Sequence, residues 1–181
     1  MRAKARLIPQ SCFLLSCLLA TGGALASGDF DACKLIALSE IREAQVEAVL
    51  EAKGSERRTG GFSVAQCFYA LPSHNKSVSL EVTRPDPGQS TTSGPRDRWK
   101  RLFHGNGDQE GEKEESGKPQ PVSGVGDEAF WSGNPLVGAL YVLKDNSYLR
   151  ISIGGAEDAS AKIQKTRVLA QKALKRLSNS S

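Results

Sequence analysis

The 181-residue sequence predicts an α+β fold: an antiparallel sheet of about six strands, with short N-terminal helices, one middle helix and a long C-terminal helix packed on it. Three observations lead there. Apolar side chains alternate with polar ones in short runs joined by hairpin-length turns, the pattern of antiparallel neighbours. Two segments, 97–104 and 157–177, carry apolar residues at helical spacing instead. The order of segments is helices, three strands, helix, polar tract, three strands, helix, and grouped helices of this kind cover one face of a sheet.

Taken in order, Asp31 is placed to cap a short turn through Cys33, Leu35 and Ile36, and Ser39 to cap a helix from Glu40 to Gln45. Val46, Ala48 and Leu50 then alternate with Glu47 and Glu51, which predicts a strand, with a continued helix as the alternative because Ala and Glu are weak strand formers. Gly54 to Gly61 is polar and glycine-bearing and predicts a loop. Phe62 to Leu71 predicts a strand buried on both faces through Val64, Cys67, Phe68 and Tyr69. Pro72 to Lys76 turns the chain into a strand from Ser77 to Thr83. Arg84 to Pro95 is rich in Pro, Gly, Ser and Thr and predicts a loop. The Asp97–His104 helix puts Trp99, Leu102 and Phe103 on one side, with Arg96, Arg98, Lys100 and Arg101 around the rest.

Asn106 to Pro121 carries Asp108, Glu110, Glu112, Glu114 and Glu115 with no apolar side chain to bury, the composition of a disordered linker. A glycine turn, Val122 to Glu128, leads into Ala129-Phe130-Trp131. Gly138 to Lys144 and Ser147 to Ile153 follow as two strands about an Asp145-Asn146 hairpin. The last helix, Glu157 to Leu177, sets Ile163, Ala170, Ala173, Leu174 and Leu177 on an apolar arc. Lys162, Lys165, Lys172, Lys175 and Arg176 fall on the opposite side, a basic face suited to an anionic membrane surface or to solvent.

Residues 1–26 have the make-up of a cleaved signal peptide: Arg2, Lys4 and Arg6 precede an apolar run from Cys12 to Ala20, and Ala24-Leu25-Ala26 supplies small residues before a cut between Ala26 and Ser27. The run is too short to span a bilayer. The expected mature chain, 27–181, is one domain, exported to the periplasm or secreted. Leu14-Leu15-Ser16-Cys17 loosely matches a lipoprotein box, so a lipid anchor at Cys17 is the alternative, and free secretion is favoured because the better cleavage site follows at Ala26. Removing the signal takes three bases from the 24 Lys and Arg, leaving 21 against 20 acids and a net charge of +1. A nearly neutral domain lacks the basic face that nucleic-acid binding needs. It also removes Cys12 and Cys17, and the remaining Cys33 and Cys67 are expected to form a structural disulfide in an oxidising compartment.

Motifs for chemistry are sparse. Gly124-x-Gly126 lacks the third glycine and the following helix of a dinucleotide site, so it reads as a tight turn. There is no Gly-x-Ser-x-Gly elbow, phosphate loop or His-Glu-x-x-His helix. Of the two histidines, His74 lies in a turn, and His104 could join Asp108 and Glu110 only in a weak, unorganised metal site; no cofactor or metal is expected. Trp99, Phe103, Trp131, Tyr141 and Tyr148 could line a groove, although large aromatic residues more often fill a core.

Asp31-x-Cys33-x-Leu35-Ile36, Glu40-Ile41, Gln66-Cys67-Phe68-Tyr69, Val122-x-Gly124-Val125-Gly126-Asp127-Glu128-Ala129-Phe130 and the lysine-rich terminal helix together resemble a group of bacterial exported domains of unknown function, including lipoproteins and sensor-like ectodomains. The resemblance implies an α+β envelope domain, with a PsbP-like sheet and flanking helices as the nearest architecture, and carries over no catalytic residues. The expected function is therefore a non-enzymatic binding or accessory domain with a shallow groove, its partner an envelope protein or small ligand. A small carboxylate-dependent hydrolase and a membrane-surface protein are the alternatives.

Overall fold

The structure, a computed structural model, describes residues 30–86, 88–89, 93–105, 118–134 and 137–179. The expected signal segment, its Ala26–Ser27 cleavage site, Cys17, and residues 106–117 of the acidic tract lie outside these.

The fold is α+β, and its sheet is antiparallel with seven strands where six were expected. The strands are β1 (Glu51–Thr59), β2 (Phe62–Ala70), β3 (Val78–Pro85), β4 (Gln120–Pro121), β5 (Glu128–Gly133), β6 (Gly138–Lys144) and β7 (Ser147–Ile153). Their spatial order is β1-β2-β3-β7-β6-β5-β4. Each half of the chain thus folds as a meander of neighbouring strands, and the two meanders meet where β3 pairs with β7 in the middle of the sheet. The helices are α1 (Leu38–Gln45), α2 (Pro95–Phe103) and α3 (Ala159–Ser178).

The extra strands sit at the two borders. β1 occupies most of the stretch expected to be a loop, and its polar residues are nearly all exposed. A border strand is held by its backbone, so it needs no buried side chain; Gly60 and Gly61, both at positive φ, turn it back onto β2. The strand expected over Val46–Glu51 does not form. Val46 takes the left-handed conformation (φ 60°) that ends α1, and Val46, Ala48 and Leu50 are all exposed while Val49 packs on the core. At the other border β4 takes the last two residues of the stretch expected to be linker, pairing Gln120 with Trp131 and Pro121 with Phe130.

Caps set the helix starts. Asp31 Oδ1 accepts from the Cys33 N–H at 2.9 Å, beginning the 3-10 turn Ala32–Lys34. Helix α1 starts two residues earlier than expected: Ala37, and not Ser39, is its N-cap, with Glu40 reaching back to the Ala37 N–H at 2.8 Å. Helix α2 has Pro95 in its first turn and Asp97 on the Gly94 N–H. Asp158 caps α3 through the Ala161 N–H.

One face of the sheet carries the main core. Cys67, Tyr69, Leu80, Val82, Leu140, Val142, Leu149 and Ile151 point to it, and the 3-10 turn, α1 and α3 close over them. Cys33 and Cys67 are joined, Cα to Cα 5.0 Å, tying the 3-10 turn to the middle of β2. Gly54 of β1 lies against this link: a Cβ there would stand in ordinary contact, 3.4 Å from Cys33 Sγ. The Tyr69 hydroxyl donates to the Ile36 carbonyl at 3.3 Å; burial pushes its pKa well above the usual phenol range, so it stays neutral.

Helix α3 differs from its expected amphipathic layout at one residue. Lys162, expected on the solvent arc, is only 1 % exposed. It lies one turn before Thr166, on the stripe continued by Leu169, Ala170, Ala173 and Leu177, where a long aliphatic stem takes the place of an apolar side chain. The remaining cations mostly serve the fold. Arg176 grips both oxygens of Glu40 (2.7 and 2.8 Å) and donates to the Leu35 carbonyl. Lys172 approaches Glu40 and Glu43, and Lys165 pairs with Glu157.

Candidate functional site: the open half of the sheet

Side chains alternate along each strand, and strand register sorts those on the second face into rows. One row runs Arg57, Val64, Thr83, Tyr148, Leu143, Glu128. Helix α2 lies over this end. Trp99 is buried there with Leu143 and Tyr148, and Phe103, Phe130 and Tyr141 pack around them. The rings form a cluster, with Trp99 4.4 Å from Phe103 and Phe103 stacked on Phe130 at 4.7 Å. Glu128 ties down the rim by accepting from the Trp99 indole N–H and meeting His104 Nε2 at 2.9 Å. Asp127 accepts from Lys144, the Asp145 N–H and Arg96, fixing the glycine turn to the β6–β7 hairpin and to α2.

The described elements leave the rows farther from α2 largely open, although the Tyr141 ring still meets Phe103 of α2. The next is Ser55, Gln66, Glu81, Arg150, Tyr141, Phe130, its last two rings belonging to the cluster, and the one beyond is Lys53, Phe68, Ser79, Ser152, Ala139, Ser132. This last row is a floor of small residues with one aromatic ring beside it. Phe68, on an inner strand, is 47 % exposed. The polar row holds an ordered set: Gln66 donates to Glu81, and Arg150 Nε donates to the Tyr141 hydroxyl at 3.1 Å. Two hollows share Phe68 and Ser79. One of about 310 Å³ is lined by Lys53, Ser55, Gln66, Phe68, Glu81 and Arg150 among others. The other, about 460 Å³, runs past Ser152 and Val137 to His74 and Gly154. A separate hollow of about 490 Å³ lies on the opposite face beside β1, against Phe30, Asp31 and Cys33.

The candidate groove residues divide between the faces. Trp99, Phe103 and Tyr148 do come together, but as a packed aromatic cluster under α2. Trp131 is buried in the main core on the far side of the sheet. Tyr141 links the cluster to the open rows, through Arg150. Phe68 was expected to be buried, because its neighbours Cys67 and Tyr69 read as a doubly covered strand. Its alternation with them was the available signal: if Cys67 and Tyr69 face a core, Phe68 faces away from it.

The displaced carboxyls titrate low. Pairing with Arg176 pulls Glu40 down to about 2. The Lys144 ammonium and the Asp145 N–H lower Asp127. For Glu128 burial works upward, but the His104 and Trp99 hydrogen bonds outweigh it and the net shift is down. A general acid for hydrolysis needs the reverse direction. His104 is paired with Glu128, and Asp108 and Glu110, its partners in the weak metal site the sequence suggests, lie outside the described residues. Among the described residues no three His, Cys, Asp or Glu side chains group as a metal site, and no helix is long and apolar enough to cross a membrane.

Comparison with protein-family models, with curated proteins and with solved structures finds no match.

Proposed function

We propose that the protein is an exported envelope domain that binds a partner on the open half of its sheet and performs no reaction of its own. The exposed Phe68, standing on an inner strand beside the Ser79–Ser152 floor, carries this reading. Large apolar side chains on inner strands are ordinarily covered, and one left open among ordered polar groups is the usual make-up of a binding surface. The partner that fits offers an apolar group to Phe68 and hydrogen-bonding groups to Gln66, Glu81, Arg150 and the two serines. Export is supported by the charged and apolar organisation of residues 1–26 and by the disulfide, which persists in oxidising compartments. The membrane-surface alternative loses most of its cations to ion pairs and burial in α3.

The test is an amide NMR titration of the labelled protein with size-fractionated envelope extract. At least one fraction should shift the amides of Phe68, Ser79, Arg150 and Ser152, and the shifts should vanish in Phe68→Ala while the rest of the spectrum is retained. Shifts centred elsewhere, or none from any fraction, overturn the reading. Intact mass of the native protein tests export: a start at Ser27 is expected, and a chain retaining Met1 overturns it.

A further inference from the structure

The two borders of the sheet are finished differently. β4 is two residues long and contains Pro121, so it offers almost nothing to another strand. β1 is nine residues long, and no described strand lies beyond it. Thr59 and Phe62 close the two-residue hairpin, which turns the backbone of Thr59, Arg57, Ser55, Lys53 and Glu51 toward β2. The N–H and C=O groups of Ala52, Gly54, Glu56 and Arg58 therefore point outward, and no described residue hydrogen bonds them.

Charges on a border strand ordinarily bar a second sheet, because like charges meet. Here the order of charges has a different consequence. A two-fold axis perpendicular to the sheet keeps each residue on its own face, so only registers that pair odd with odd and even with even are open. With Ser55 at the centre, Lys53 would oppose Arg57. With Gly54 at the centre, Glu51 opposes Arg57 of the other copy, twice over by symmetry, Lys53 meets Ser55, and Ala52 meets Glu56. Gly54 adds no side chain at the axis, where Cys33 and Asp31 of its own chain lie beside it.

We propose that two copies of this chain associate edge to edge through β1, antiparallel and centred on Gly54, with Glu51 of each copy against Arg57 of the other. Ala52, Gly54 and Glu56 exchange backbone hydrogen bonds across the seam, and the sheet continues through both copies. The consequence for the open face is direct. Lys53 and Ser55 line the hollow beside Phe68, so each copy brings its own Lys53 and Ser55 to the border of the other's hollow. The two grooves then run together on one side of a continuous sheet.

Sedimentation equilibrium on the purified, disulfide-bonded protein tests this. A reversible dimer is expected. Arg57→Glu should weaken it at least about fivefold, since opposed charge pairs on facing strands become like pairs at both ends of the seam. Glu51→Arg alone should do the same, and the double variant Glu51→Arg/Arg57→Glu should return the dissociation constant to within about threefold of the original. Ala52→Pro removes one outward N–H without touching the β1–β2 bonds and should also weaken the dimer, with circular dichroism confirming that the fold is kept. A monomer at millimolar concentration, a dimer indifferent to the charge exchange, or a β1 edge that takes up a strand of another protein while the chain alone stays monomeric would each overturn the proposal. The groove reading stands or falls separately, on the Phe68 titration.

Discussion

Replacing Glu40 by Gln isolates one interaction that locks three segments together. Glu40 caps α1 through the Ala37 N–H, and it takes both arms of Arg176, which also holds the Leu35 carbonyl ahead of α1. Gln keeps the shape and the capping acceptor but removes the charge. The carboxyl is 11 % exposed and sits at about 2, against an ordinary 4.5, which sets a ceiling of roughly 3 kcal/mol on its preference for the charged form. Arg176 is 39 % exposed, so solvent screening brings the expected loss at neutral pH to about 1–2 kcal/mol. Because the folded value lies below the unfolded one, this stability is fully present above about 4.5 and fades as pH falls toward 2. Urea unfolding followed by far-ultraviolet circular dichroism should show the Glu40→Gln midpoint about 0.5–1 M below wild type at pH 7. At pH 2.5 the gap should shrink to less than half. An equal gap at both pH values would mean that the loss comes from packing or capping, and the charge argument would be wrong.

Three further outcomes follow from the same structure. Val46 is a β-branched residue held at φ 60° and 83 % exposed; Val46→Gly relieves the strain and should raise stability by about 1 kcal/mol in the same urea assay. Converting Cys33 and Cys67 to Ser opens a loop of 34 residues and should cost about 3–4 kcal/mol, most of it through the unfolded chain; calorimetry of the double variant against the oxidised parent measures it. Trp99→Ala empties the centre of the aromatic cluster under α2 and should cost about 3–5 kcal/mol. Hydrogen exchange should then show α2 opening before the face covered by α3.

Much of this architecture was legible because burial imposes a period on the sequence. Leu80 and Val82, or Leu149 and Ile151, alternate because one side of each strand meets α1 and α3, and Asp145 and Asn146 mark the hairpin between β6 and β7 because the turn needs a left-handed residue, here Asp145 at φ 52°. β1 was illegible for the complementary reason. Its backbone pairs with β2 while most of its side chains, Glu56 apart, stay in water, so little restricts its composition and Glu51-Ala-Lys-Gly-Ser-Glu-Arg-Arg-Thr59 carries no period. Lys162 misled because its charge outweighed its position; the stripe through Thr166 and Leu169 shows which way it points. For the candidate site, aromatic type identified the cluster under α2, but type alone cannot say which face a ring takes, and Trp131 went to the other one. Phe68 was hidden by apolar neighbours whose side chains leave the opposite way.

The seam between β3 and β7 has a further implication for how the chain tolerates change. β3 ends at Pro85 and β7 begins at Ser147, so the central pairing of the sheet closes a long loop that contains α2, the acidic tract and three strands. Loop-closure entropy grows only with the logarithm of length, about 0.6 kcal/mol for each doubling. Lengthening or shortening residues 106–117 should therefore leave stability nearly unchanged, while the rate of folding is governed by how fast this distant pairing is found. A backbone cut there would leave two fragments, one with α2 and a sheet bordered by a bare β3 edge, the other with a sheet bordered by a bare β7 edge. Each edge is the other's complement, which makes the protein a natural candidate for reassembly from two pieces.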